Sequence, residues 1–128
     1  MRINRIDHLV LTVAHIDTTV AFYETVMGMK KVEFGQGRVA LVFGRQKINL
    51  HQLGREFEPR AARAQPGSAD LCFIIDDPVS RVILELQRQD IDIIEGPVKR
   101  TGASGEIVSA YFRDPDGNLI EVSNYVHS

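Results

Sequence analysis

The chain is predicted to fold as an α+β domain of two βαβββ modules whose sheets form one cupped mixed sheet. Three observations predict it: a strand-then-helix pattern that occurs twice, three short strand candidates after each helix, and a Pro/Gly-punctuated stretch between the halves. The 128 residues suit one domain or two half-size modules, since either half alone buries too little apolar surface to stand independently.

The first strand is expected over Asp7 to Val13, an apolar, β-branched run. A helical pattern carrying Val20, Phe22, Tyr23 and Val26 follows and ends at Gly28. Ala69 to Ile75 repeats the strand. Its helix is expected to have Asp77 as cap, Pro78 at the first helical position, and Val79, Val82, Ile83 and Leu86 on one face. Laying His8 on Asp70, an offset of 62 residues, also matches Leu9 with Leu71, Val13 with Ile75 and Val20 with Val82. The remaining strands are expected near Lys30–Phe34, Arg38–Phe43 and Lys47–Leu53, then Ile91–Glu95, Ile107–Phe112 and Asn118–Tyr125. Module 1 spans about residues 1–56 and module 2 about 67–128. The connector from Glu56 to Ser68 holds Pro59, Pro66 and Gly67, and its arginines read as a solvated surface. Asp114-Pro115-Asp116-Gly117-Asn118 is a tight-turn signal that fixes where the last strand begins.

A net charge of −2 without a Lys/Arg run leaves no electrostatic footprint for nucleic acid or an anionic membrane. No run approaches the roughly 20 apolar residues of a spanning helix. The N-terminus shows no signal-peptide pattern, so a cytoplasmic location is expected. The single cysteine, Cys72, excludes an internal disulfide.

Alternation along the strands assigns faces. Leu9, Leu11 and Val13, like Leu71, Phe73 and Ile75, belong under the helices; His8 and Asp70 then occupy equivalent opposite faces. The same parity puts Ile48, Leu50, Ile120 and Val122 under the helices and turns Asn49, His51 and Glu121 away. Four strands thus each offer a ligating group: His8, Asn49 or His51, Asp70 and Glu121. A carboxylate between Ile120 and Val122 is costly to bury unless paired or coordinated. Imidazole with carboxylate suits Zn, Mn, Fe(II), Ni or Co, and an incomplete ligand set leaves positions for a substrate. Structural roles compete with each assignment: His8 as a hydrogen-bonded core histidine, His51 as an exposed edge residue, Asp70 as a strand-start acid in a backbone turn, and Glu121 as a salt-bridge partner of Arg113 or Arg100. Arg100 to Glu106 is expected to be a mobile lid, with Arg100 anchoring a substrate anion, or a flexible hairpin. Cys72 shares the inward face in a small apolar role, and Tyr111 and Phe112 read as core.

The strand His8-Leu9-Val10-Leu11-Thr12-Val13, the segment Ala21-Phe22-Tyr23 through Gly28-Met29, Glu95-Gly96-Pro97-Val98, and Phe112 through Glu121 together resemble the vicinal oxygen chelate superfamily of glyoxalases, bleomycin-resistance proteins and extradiol dioxygenases. The likeness covers essentially the whole chain. Lys47 to Gln52, Glu56 to Pro59 and Pro66 to Leu71 most closely resemble its glyoxalase domain-containing, lactoylglutathione-lyase-like virulence proteins. The resemblance implies a divalent metal held at His8 and Glu121 and a homodimer. Asp70 stands where the family usually has a second histidine, and the fourth-strand glutamate is replaced by Asn49 or His51. Imidazole favours His51 as ligand, which leaves Asn49 to contact substrate. The activity implied is that of a glyoxalase-like lyase or isomerase acting on a small substrate with vicinal oxygens through an enediolate, with Glu121 and His51 catalytic. An Fe(II) ring-cleaving dioxygenase and a metal-free drug-binding resistance protein are the alternatives.

Overall fold

In the computed structural model, which describes residues 1–126, the chain divides into two units, Met1–Gly67 and a second that begins at Ser68. Each is a βαβββ unit with a four-stranded mixed sheet. The last two positions of the second predicted module, 127 and 128, lie outside the described residues.

The first unit runs β1 (His8–Val13), α1 (Ile16–Thr25), β2 (Lys30–Phe34), β3 (Arg38–Phe43) and β4 (Gln46–Gln52), with sheet order β1-β4-β3-β2. β1 and β4 are parallel; the other pairs are antiparallel. Leu11, Val13, Val39, Leu41, Ile48 and Leu50 are buried on the sheet face that α1 covers with Val20 and Tyr23. The second unit runs β5 (Asp70–Ile74), α2 (Val79–Arg88), β6 (Glu95–Gly102), β7 (Gly105–Arg113) and β8 (Leu119–Tyr125), in the order β5-β8-β7-β6. Ala110, Phe112, Ile120 and Val122 are buried on its helix-covered face with Val79 and Leu86. Among the described residues no helix is long and apolar enough to cross a membrane.

Three sequence expectations are corrected. The sixth strand lies at Glu95–Gly102, not at Ile91–Glu95. Pro97 argues against a strand when read locally, yet β6 is an edge strand, where a missing N–H costs no ladder bond, and the register shifts between Glu95 and Val98. Gly96 permits this bulge: its φ is +137°, and a Cβ there would stand 2.7 Å from the Cα of Ala110. Of the two readings of Arg100–Glu106, the structure has the hairpin and not the lid: the stretch is mostly strand, closed by a tight turn whose Ser104 N–H donates to the Tyr125 hydroxyl (3.2 Å).

Asp77 is not the cap of α2; it pairs with Arg81 (2.5 Å). Pro78 occupies the cap position without a side-chain bond. The cap comes from β8 instead: Asn124 Oδ1 accepts from Val79 N–H (2.8 Å), and its Nδ2 donates to the carbonyls of Ile75 (3.0 Å) and Asp77 (2.9 Å). The first unit uses the same device, with Gln52 Oε1 accepting from Ile16 N–H (3.2 Å).

The Asp114–Asn118 turn is a closed network. Asp114 Oδ1 accepts from Asp116 and Asn118 N–H (3.0 and 2.9 Å), and its Oδ2 accepts from Asn118 Nδ2 (2.7 Å). Asn118 Oδ1 accepts from Ala69 N–H (2.9 Å), which ties the start of β8 to the start of β5. Asn118→Ala removes a buried side chain that bonds two segments and is expected to cost about 2–4 kcal/mol. Asn124→Ala, the loss of a helix cap, is expected to cost about 1–2 kcal/mol. Urea unfolding followed by far-UV circular dichroism measures both, and a smaller loss for Asn118→Ala than for Asn124→Ala contradicts this assignment.

Candidate functional site

In each unit one sheet face is covered by the helix and the other carries the polar groups. In the first unit the register sets three rows across the open face: Lys30, Val42, Lys47 and His8; Val32, Ala40, Asn49 and Val10; and Phe34, Arg38, His51 and Thr12. His8 is an exposed residue, not a core one. Its Nδ1 lies 2.8 Å from Asp7 Oδ2, and this hydrogen bond is the main cause that holds the Asp7 carboxyl below its usual range. A carboxylate on Nδ1 fixes the ring and leaves Nε2 free, the arrangement common among histidines that bind a metal.

Asn49 and His51 lie on β4, an interior strand, and both are buried, at 5% and 3% exposure. The Phe57 ring meets the His51 ring edge-on at 5.8 Å between centroids. His51 Nε2 and Asn49 Oδ1 are buried without a hydrogen-bond partner among the described residues. Burial pushes the His51 pKa down, and the nearby Arg38 charge adds to this, so the imidazole is neutral at pH 7.

The second unit brings Glu121 between two cross-strand neighbours, Cys72 on β5 and Tyr111 on β7. Glu121 Oε2 accepts from Ser109 Oγ (2.5 Å) and Ser123 Oγ (3.4 Å), and the two hydroxyls, both buried, lie 2.7 Å apart. Alternation puts Ser123 on the inward face of β8 with Glu121 but does not give it a role, and Ser109, its partner on β7, was not singled out. Glu121 forms no ion pair with Arg100 or Arg113. Arg100 pairs with Glu95 (3.1 Å) and donates Nε to the Tyr111 hydroxyl (3.1 Å) and Nη1 to the Lys99 carbonyl (3.0 Å); Arg113 donates to the Gly117 carbonyl (3.3 Å). Glu121, Tyr111, Arg100, Cys72 and Tyr125 line a cavity of about 380 Å³. Tyr111 is thus a cavity wall, whereas Phe112 is core. Cys72 is exposed rather than buried, and partial desolvation raises its thiol pKa, which lowers its thiolate fraction.

The two units place their donors identically. β1 opposes His8 to Lys47, two residues before Asn49; β5 opposes Asp70 to Leu119, two residues before Glu121. His8 with Asn49, and Asp70 with Glu121, are therefore equivalent diagonal pairs, with Cα atoms roughly 8 Å apart. His51 corresponds to Ser123 and stands roughly 14 Å from His8 by the same spacing. Among the described residues, no three His, Cys, Asp or Glu side chains already converge as a ready cluster for a metal ion.

Comparison with known proteins bears on what such a face does. The profile of the Glyoxalase/Bleomycin resistance protein/Dioxygenase superfamily matches residues 5–122, and the chain belongs to that family. It is 63% identical over 126 residues to Virulence protein STM3117 of Salmonella typhimurium, covering 98% of this chain and 88% of that protein. The crystal structure of that protein superposes with a TM-score of 0.97 over 98% of this chain and 100% of the other. A Glyoxalase domain-containing protein RDO1 of Mycosarcoma maydis is 57% identical over 125 residues, which cover 98% of this chain and 70% of that one. Lactoylglutathione lyase from Agrobacterium tumefaciens is similar at 25% identity with a TM-score of 0.75, over 97% of this chain and 96% of the other.

Neutral His51 in the fold and a freely titrating His51 in the unfolded chain give a defined pH response. The folded pKa is depressed, so the unfolded state takes up the proton first. The stability contribution is present above the ordinary imidazole pKa of about 6.5 and is lost as pH falls through that value toward the folded one. Urea midpoints between pH 7.5 and 5 are expected to fall less steeply for His51→Gln than for the parent chain. Parallel declines contradict the assignment.

Proposed function

We propose that the chain is a divalent-metal-dependent lyase or isomerase of glyoxalase type, acting on a small substrate with adjacent oxygens. The observation that carries this reading is the repetition of one diagonal donor pair, His8 with Asn49 and Asp70 with Glu121, on the open faces of both sheets. The donors fit a metal individually. His8 keeps Nε2 free while Asp7 engages Nδ1, Asn49 Oδ1 has no partner among the described residues, and Glu121 is oriented by two serines. Imidazole would be the better β4 donor by chemistry, but the register shifts the preference from His51 to Asn49, because His51 stands too far along the strand from His8 to share an ion with it. One nitrogen with oxygen donors suits Mn, Fe(II), Co or Ni, with Zn less favoured.

A divalent ion so held supplies Lewis-acid polarisation of the substrate's adjacent oxygens. The chain's own residues do the rest. Glu121 accepts the proton from the carbon beside the carbonyl and returns it to the neighbouring carbon, a transfer for which an oriented carboxylate is suited. Ser109 and Ser123 hold that carboxylate in place. Arg100 and Tyr111 form the cavity wall beside it and bound the space open to substrate.

We further propose a homodimer. β1 and β5 each end their sheet and expose Val10 (44%) and Ile74 (55%) on the open face, apolar surface that a second copy would cover.

Elemental analysis of protein purified without chelator tests the metal, with the fold checked by circular dichroism. Bound divalent metal is expected, reduced in His8→Ala and in Glu121→Ala and retained in His51→Gln. Unchanged metal in either of the first two overturns the ligand assignment. Solvent deuterium exchange into hydroxyacetone, followed by proton NMR, tests the proton transfer. Glu121→Gln is expected to slow it by about 100-fold or more, and equal rates refute the role given to Glu121.

A further inference from the structure

We infer that Arg38 anchors a second binding site, on the open face of the first sheet, for the carboxylate of a small monoanionic molecule. This goes beyond the metal reading and does not depend on it.

Several arginines of the chain are already engaged. Arg60, Arg81 and Arg100 each pair with a carboxylate, and all three are exposed. Arg38 alone among the described arginines is partly buried, and among the described residues its guanidinium has no hydrogen-bond or ion-pair partner. It is held by ring contacts: its Cζ lies 5.2 Å from the Phe34 centroid and 4.9 Å from the Phe57 centroid. Such contacts fix the group without using an N–H. A positioned guanidinium with all five donors free, beside two apolar rings, is a strong and geometrically selective receptor for an oxyanion.

A second observation points to a ligand at the same place. One step beyond the Val39–Leu50 pair, Arg38 stands opposite His51, whose Nε2 is buried without a hydrogen-bond partner among the described residues; with its proton there, the neutral ring would donate to a carboxylate held by Arg38. Buried polar atoms of this kind are rare unless something outside the chain completes them.

The local charge limits the ligand. Lys47 Nζ sits 4.0 Å from the Phe34 ring, which adds a positive charge, and neutral His51 adds none. Glu56 and Glu58 also lie close enough to act on His51, although Arg60 engages both. A dianion would meet these acids; a planar monoanion matches the fork of one arginine. A carboxylate is therefore preferred to a phosphate.

The test uses chelator-treated, ¹⁵N-labelled protein titrated with acetate at constant ionic strength, with inorganic phosphate as comparison. Saturable movement of the Arg38 Nε–H resonance and of the His51 ring resonances is expected with acetate. Arg38→Met, which keeps the stem against the rings, is expected to abolish the His51 response. Arg38→Lys, which keeps the charge but not the fork, is expected to weaken it about tenfold. No saturation in the parent chain, an unchanged His51 response in Arg38→Met, or tighter response to phosphate than to acetate overturns the proposal. Because the protein is metal-free throughout, failure of the metal assignment leaves each of these outcomes readable.

Discussion

The hydrogen-bonded tie from Asn118 to Ala69 sets the geometry on which the second unit's chemistry depends. A parallel strand pair has no hairpin to fix its register, and a slip of one residue would send every side chain of β8 to the other face. Asn118 binds Ala69 at the residue before β5, while Asp114 holds Asn118 by both its backbone and its side chain. The Leu119 N–H bonds the Ala69 carbonyl as well (3.0 Å). With that end fixed, Leu119 opposes Asp70 and Glu121 opposes Cys72. The position of the carboxylate is thus decided by a buried turn outside the cavity it serves.

β8 works on both of its faces. Glu121 and Asn124 are three residues apart, so they point to opposite sides: one presents the carboxylate to the cavity, the other caps α2. β4 repeats this with Asn49 and Gln52, at the same spacing and in the same register. Neither helix has a side-chain cap of its own, since His15 and Pro78 provide none. Each unit therefore relies on its last strand to anchor its helix and, on the reverse side, to present a polar side chain, Asn49 or Glu121, to the open face. The duplication is preserved in how the chain is held together as well as in its topology, although the residue types differ between the halves.

Most of the fold was legible because it rests on periodicity. The two strand-helix starts and the strands β2, β3, β7 and β8 follow from alternation and from the Asp114–Asn118 turn, and the faces of Ile48, Leu50, Ile120 and Val122 agree with burial. The strand at Glu95–Gly102 was not legible, since its proline is tolerated only by virtue of an edge position that sequence order does not reveal. The caps were missed for the same reason: Asn124 is 45 residues from Val79, and a local scan finds Asp77 first. Parity gave the open-face residues correctly but could not rank Asn49 against His51. That choice rests on which residue of β4 opposes His8, a quantity set by tertiary pairing. Parity turns Ser123 inward beside Glu121 but gives it no role, and Ser109 carried no signal, because serine within a strand is ordinary until its partner is known.

The contrast between Arg100 and Arg38 shows why charge in a sequence is a poor guide to a binding site. Arg100 sits in a Gly-rich hairpin and looks available, yet its neighbours Glu95 and Tyr111 occupy it. A ligand there must displace an existing partner, so most of its attraction is cancelled by what is lost. Arg38 lies in an ordinary strand after a Gly-containing turn, and nothing near it in sequence marks it. Its value comes from Phe34, its antiparallel partner four residues back, and from Phe57, brought over by the segment after β4. Rings screen the guanidinium from water without neutralising it, so an arriving anion gains the full charge-assisted pair at a lower desolvation cost than an ion pair buried by folding would carry. Availability of a cation is thus a property of its contacts.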